Sequence, residues 1–457
     1  MRHTLDADYL VVGAGASGLA FTDALIDHSD DAQVVVVDRR HGPGGHWLDA
    51  YPFVRLHQAS VFYGVTSMRL GDGRLQPDGP EAGLQERANA PEICAYYARV
   101  MDRLVRTGRV TFLSGCDYLG EGLVRSRVSG HEYDVRVRRR VVNAHYLEPL
   151  IPANLPPPFA AEPGTVIPVN QLVSVEAAPS QYVIVGSGKT ATDACVWLLG
   201  NGVDPDAICW IRPREPWMFN RAVIQPDPAV FTGAVADIME AATDAGSLDD
   251  LFLRLEAAGV MLRVDRDRLP TMARTPTLAE WELDLLRSIE NVVRLGHVST
   301  VRSGEIGLEG GRVTIADDAV VVHCAAAGLR DKPAVPIWGE DGIVVQPIRS
   351  GFPCFGAALG GYVEATREAD EEKNRLCPST PYCNSPATWA RMMVLGAQAT
   401  ASFGAEPDIQ AWAQGCVLNP ARVAPEHRER PDLLAAQGRL AEHAQAGMAR
   451  LAELAGL

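Results

Sequence analysis

The stretch Tyr9-Leu-Val-Val-Gly13-Ala-Gly15-Ala-Ser17-Gly18, followed by Val34-Val-Val-Val-Asp38, decides the fold. It reads as strand, glycine turn, helix and second strand. The glycines let the backbone turn tightly and approach a pyrophosphate, which then rests on a helix N-terminus. Asp38 stands twenty residues after Gly18, where an acid accepts from ribose hydroxyls. A second copy runs Tyr182-Val-Ile-Val-Gly186-Ser-Gly188-Lys189-Thr190-Ala191, then Ile208-Cys-Trp-Ile-Arg212-Pro-Arg214. Its third glycine is Ala191, which the pattern allows, and Arg212 takes the place of the acid. A guanidinium suits a 2′-phosphate, so the first unit is assigned to FAD and the second to NADPH. A bare glycine turn does not explain Asp38 at its offset. For the second unit the alternative is a domain that keeps the fold without its nucleotide.

These units make the chain α/β, with two Rossmann-like dinucleotide-binding domains, the second inserted in the first. The FAD-binding domain is expected over 1–177 and 326–457, and the NADP-binding domain over 178–325. Pro228 to about Glu290 is helical by period and longer than a minimal unit needs, which marks a helical insertion at about 228–290. Pro91 to Val105 reads as an amphipathic helix. Segments near Val110–Leu113, Val124–Val128 and Tyr133–Val137 read as a small meander. The proline-dense Pro149–Pro168 is a crossing between domains. Ala357–Ala365 reads as a helix whose N-terminus meets the flavin, and the tail from about Thr388 is helical.

At 457 residues the chain holds two or three domains. The formal net charge of −15 argues against nucleic acid or an anionic membrane as the main partner. The N-terminus shows no signal-peptide pattern, and no apolar run is long enough to span a bilayer, so a cytoplasmic location is expected. The oligomeric state is left open, a homodimer included. Nine cysteines show no Cys-x-x-Cys and an odd total, which argues against a disulfide framework. No metal site is expected. Arg39–Glu92 lacks the cysteine pair of two-dinucleotide disulfide reductases.

The layout resembles the class B flavoprotein monooxygenases: flavin-containing monooxygenases, Baeyer–Villiger monooxygenases and N-hydroxylases. The resemblance covers roughly 5–365. It rests on the ordered pair of fingerprints, on Gly44-Gly45-His46-Trp47, and on Tyr51-Pro-Phe-Val-Arg55. Small residues at Ala144 and at Ala326-Ala-Gly328 look like the family's strand-end turns. The resemblance implies reduction of FAD by NADPH and oxygenation of a small organic substrate through a C4a-(hydro)peroxyflavin, with the cofactor supplying the difficult chemistry. It places Arg55, His57 and Gln58 beside the flavin as candidate catalytic residues. Gln58 matches an asparagine of the flavin-containing monooxygenases, and His57 stands near the Baeyer–Villiger aspartate.

One departure bears on the chemistry. The family's inter-domain pattern, Phe-x-Gly-x-x-x-His, is here Phe159-Ala-Ala-Glu-Pro-Gly164-Thr-Val-Ile-Pro168. Pro168 stands where the histidine is expected, and no histidine lies between His145 and His297. The nucleotide folds survive this loss, and the Baeyer–Villiger assignment does not survive it well. An FAD/NAD(P)H oxidoreductase without oxygen insertion (dehydrogenase, oxidase or reductase) and a non-redox FAD-holding protein therefore remain alternatives.

The remaining candidates carry two readings each. His57 is a proton donor, a flavin contact or a hydrogen-bonded structural residue. Arg55 pairs with a cofactor phosphate or with an acid. Gly45, His46 and Trp47 contact phosphate or flavin, or pack, and Arg39 follows Asp38 at the adenine side. Lys189 and Thr190 open the second helix, where anions are favoured. Arg212 and Arg214 bind the 2′-phosphate or form a solvated pair. Cys354 is packing or nucleophile, and Cys377 with Cys383 is packing or a redox pair.

Overall fold

The computed structural model describes residues 2–325, 328 and 332–457. Its largest sheet is built on the first fingerprint. Strands Val110–Ser114, Val34–Asp38, Arg2–Val12, Glu132–Asn143 and Gly342–Val344 lie side by side in that order, all parallel. Val34–Asp38 is buried throughout, as a central parallel strand covered on both faces must be. The helix Ala16–His28 leaves the first glycine turn and packs on Pro353–Thr366. A Cβ at Gly361 would come 2.3 Å from the Phe21 carbonyl oxygen, so only glycine allows that approach.

The second fingerprint builds a second parallel sheet. Its strands run in the order Val292–Val293, Ile208–Ile211, Tyr182–Val185, Val320–His323, Val166–Pro168. The proline-dense crossing thus supplies an edge strand, Val166–Pro168. Both sheets are of the open α/β kind in which ligands bind outside the carboxyl ends of the strands.

Three local readings change. Val110–Ser114 belongs to the parallel sheet, and the antiparallel meander is Cys116–Gly120, Leu123–Ser126 and the start of Glu132–Asn143. The strand expected near Tyr133–Val137 runs on to Asn143, because it continues beside Arg2–Val12 through a single register shift. Within 228–290 the helices Pro228–Thr243, Leu248–Ala257 and Glu280–Arg287 form as expected. Strands Met261–Arg263 and Met272–Leu278 interrupt them and pair with Pro216–Asn220. Phe219, Phe231, Ile238 and Phe252 join the same apolar core as the first sheet. The tail helix Pro431–Leu454 lies on Pro228–Thr243, where a Cβ at Gly447 would come 2.4 Å from the Met239 carbonyl oxygen.

The helix near Pro91 is Ala90–Arg106. It begins at a reciprocal cap in which Asn89 Oδ1 accepts from the Glu92 N–H and Glu92 accepts from the Asn89 N–H. Ala326 and Ala327 of the second small-residue strand end lie outside the described residues.

Candidate functional site: a cleft between two glycine turns

The first turn is closed by its own geometry. A Cβ at Gly18 would sit 2.0 Å from the Gly13 carbonyl oxygen and 3.1 Å from the Ala144 Cβ. Gly44 donates its N–H to the Ala14 carbonyl at 2.8 Å, which folds the Gly44–Gly45 loop over the turn. Gly45 has φ +60° and would place a Cβ 2.9 Å from the Gly15 Cα. Asp38, only 6% exposed, accepts from the Ala14 N–H with one carboxylate oxygen and from the Arg40 N–H with the other, both at 2.8 Å. Arg39 and Arg40 reach Glu148, and Arg40 also holds Asp49 at 2.7 Å.

A cavity of about 1090 Å³ opens from this turn and runs to the second one, slightly larger than the usual single-ligand site. Of the residues singled out from the sequence, Gly13, Gly15, Ser17, Asp38, Arg39, Gly45, His46, Trp47 and His57 line its first side. Gly186, Gly188, Lys189, Thr190 and Arg214 line its second. The His46 ring lies tilted against Trp47, with 4.9 Å between ring centres. Burial, and then the nearby Arg40 charge, pulls the His46 imidazole down to about 4.

At the second turn a Cβ at Gly188 would meet nothing within 4 Å. The opening is therefore not needed for protein packing, and a pyrophosphate over the start of helix Lys189–Gly200 fits there. Lys189 is bound to Asp193 and stands 3.7 Å from Glu282. Tyr51, from the first unit, donates its hydroxyl to the other Asp193 oxygen at 2.6 Å.

Four expected residues do not line the cavity. Gly18 is spent on packing under the turn. Arg212 is 2% exposed, donates its Nε to Glu215 at 3.1 Å and lies over the Trp210 ring at 4.6 Å. Its strand ends at Ile211, so alternation no longer predicts where residue 212 points. Of the two arginines after the second strand, Arg214 is the one that reaches the cleft. Its Nη2 reaches Asn384 Oδ1 at 3.2 Å and Met272 Sδ at 3.3 Å, both uncharged partners. Arg55 is exposed and donates to the Arg87 carbonyl at 3.1 Å. Gln58 is buried away from the cavity.

His57 does face the cleft. Its Nε2 lies 3.4 Å from the Tyr63 hydroxyl, and its Nδ1 has no hydrogen-bond partner among the described residues. Burial first, then Lys189, Arg221 and Arg87, pulls its imidazole down to about 3. The ring is thus neutral at physiological pH. Between about pH 6.5 and 3 the unfolded chain takes up a proton that folded His57 refuses, so acid removes stability over that window. Melts of the unaltered protein and His57→Gln from pH 7.5 to 4 should diverge, with the variant gaining up to about 1.4 kcal/mol per pH unit. A constant difference across that range would show an ordinary imidazole.

Sequence reading missed Tyr63, Arg274, Tyr382 and Asn384, which also line the cleft, as does the already noted Cys383. No motif marks them, since they come from loops and strands far apart in the chain. Cys354 lines it too, with burial pushing its thiol up to about 11. All nine cysteines are free, and burial also pushes Cys377 up and Cys383 up to about 12. Pro168 sits directly across from His323 on the neighbouring parallel strand, so an imidazole stands beside the position where the pattern lacks one. His323 is 3% exposed and meets the Phe159 ring edge-on at 5.7 Å. No helix among the described residues is long and apolar enough to cross a membrane.

The description "NAD(P)-binding Rossmann-like domain" matches residues 11–72. The chain is 41% identical to "Uncharacterized protein Rv2000" of Mycobacterium tuberculosis (strain ATCC 25618 / H37Rv) over 421 residues, which is 91% of this chain and 78% of that one. It is equally similar, over the same shares, to "Uncharacterized protein Mb2023" of Mycobacterium bovis (strain ATCC BAA-935 / AF2122/97). Among solved structures it resembles the polycyclic ketone monooxygenase from the thermophilic fungus Thermothelomyces thermophila. There the TM-score is 0.51 at 12% identity, covering 98% of this chain and 90% of the other. A cyclohexanone monooxygenase in its open form gives a TM-score of 0.48 at 17% identity, with 97% and 98% covered. At these identities the likeness concerns the fold.

Proposed function

This chain belongs to one family with the mycobacterial proteins Rv2000 and Mb2023, and from that premise and its flavin-monooxygenase-like fold we propose an FAD-dependent, NADPH-using monooxygenase of a small organic substrate. The observation that carries the reading is the single cleft joining two complete glycine turns, with His57 facing into it. When bound in this cleft, FAD together with NADPH would supply the redox chemistry that activates oxygen.

The chain's own residues supply placement. The backbone at Gly15 and Ser17, at the N-terminus of helix Ala16–His28, receives the FAD pyrophosphate, and Asp38 keeps lone pairs for the ribose. Gly188, Lys189 and Thr190 receive the second pyrophosphate, and Arg214 the 2′-phosphate. Trp217, Met218, Tyr63 and Tyr382 give the cleft apolar walls that exclude water. His57 offers a neutral ring that donates or accepts one hydrogen bond without changing charge. FAD is assigned to 1–177 with 326–457, and NADPH to 178–325.

Pro168 favours a second reading, an oxidoreductase that passes electrons on without inserting oxygen. One experiment separates the two. NADPH added without oxygen should bleach the yellow protein. Labelled ¹⁸O₂ is then admitted with a cyclic ketone, a thioether and a tertiary amine. Label in a product supports the monooxygenase. Stoichiometric H₂O₂ with no label in any product supports the second reading. Failure to bleach removes both.

A further inference from the structure

The main chain at Leu56 and His57 is held by buried charges that neither glycine turn requires. Arg87 Nη1 donates to the Leu56 carbonyl at 2.9 Å. Arg221 Nε donates to the His57 carbonyl at 3.0 Å, and the Thr277 hydroxyl donates to the same oxygen. Arg221 is 1% exposed. Its Nη1 meets Glu81 and its Nη2 meets Glu282 at 2.7 Å, while Arg87 Nη2 meets Glu81 at 2.7 Å. Glu282 also accepts the Ala279 N–H, and the Trp281 indole N–H reaches Glu81 at 3.2 Å.

A buried ion cluster adds little stability over apolar packing of the same volume, because both charges lose water. What this cluster does supply is direction. Arg221 and Thr277 come from the segment 216–290 of the second unit, whereas Leu56, His57, Glu81 and Arg87 come from the loop after the first. The carbonyl of His57 is thus fixed by buried donors from the second unit that do not themselves line the cleft, and with it the side on which the imidazole emerges.

We propose that Arg221, seconded by Thr277, is the positioning residue that holds His57 in the cleft. Its consequence for turnover rests on the role assigned to His57 above; the positioning itself does not.

The test uses the full chain as purified. Arg221→Lys keeps a positive charge for Glu81 and Glu282 but loses the Nε donor to His57. It is expected to speed amide hydrogen exchange over 54–60 about tenfold. It should also change by several-fold the rate at which diethyl pyrocarbonate acylates His57, read by peptide mass spectrometry. Exchange in the sheet strands should not change. Should Arg221→Lys fail to fold, Thr277→Val removes the second donor without touching a charge and is expected to act in the same direction. Unchanged exchange and labelling at 54–60 in the folded variant would overturn the proposal.

If the protein oxidises NADPH, H₂O₂ released per NADPH should rise in Arg221→Lys and in His57→Ala. The double variant should release no more than His57→Ala alone, because an effect that passes through His57 cannot add to its removal. Additive release would show that Arg221 acts on turnover by another route. Absence of NADPH oxidation would count against the monooxygenase reading, and exchange and labelling would still decide the clamp.

Discussion

Asp38→Ala is expected to release FAD on gel filtration and to leave protein that is pale as purified. The carboxylate organises the first glycine turn by accepting from the Ala14 and Arg40 N–H groups. Hydrogen bonds to a charged partner contribute about 1.5–3 kcal/mol each, and removing the acceptor leaves buried donors unsatisfied. The ribose loses its acceptor in the same step. If half of the lost energy falls on cofactor affinity, Kd rises on the order of ten- to a hundredfold. Asp38→Asn keeps one acceptor oxygen and should fall between. Titration of the stripped proteins with FAD checks the order, and an unchanged Kd in Asp38→Ala would remove Asp38 from the site.

Arg214→Ala should lower the ratio of kcat/KM for NADPH over NADH by roughly 30- to 160-fold, as expected when a charge-assisted guanidinium–phosphate contact of about 2–3 kcal/mol is lost. Arg212→Ala should behave differently. That guanidinium is paired with Glu215 and packed on Trp210, so its removal leaves a buried carboxylate with Arg294 alone. Breaking a buried pair costs about 3–5 kcal/mol, so the expected result is a lower Tm with little change in the coenzyme ratio. Steady-state kinetics with both coenzymes, alongside melts, separate the two. A collapsed ratio in Arg212→Ala with an unchanged one in Arg214→Ala would return the phosphate site to the buried arginine.

The sequence by itself determined the two glycine turns, the order of the two units and the residues at their strand ends. Those features are local. A turn that tolerates only glycine, and a strand whose acid must meet it, sit within forty residues of each other and leave a readable spacing. The long helices near 91 and in the tail were legible for the same reason, since caps and periodicity are local signals.

Only the tertiary structure decided which side chains face the cleft. Spacing puts Arg212 at the acid's position with Arg214 two residues on, yet Trp210 and Glu215 take the first and leave the second. Arg55, His57 and Gln58 are neighbours in one loop, yet only His57 points inward, because Arg87, Arg221 and Thr277 grip the backbone on either side of it. His323 comes to stand beside Pro168 through strand pairing over more than 150 intervening residues. Where a side chain in irregular backbone points is set by partners remote in sequence, and no local pattern encodes them.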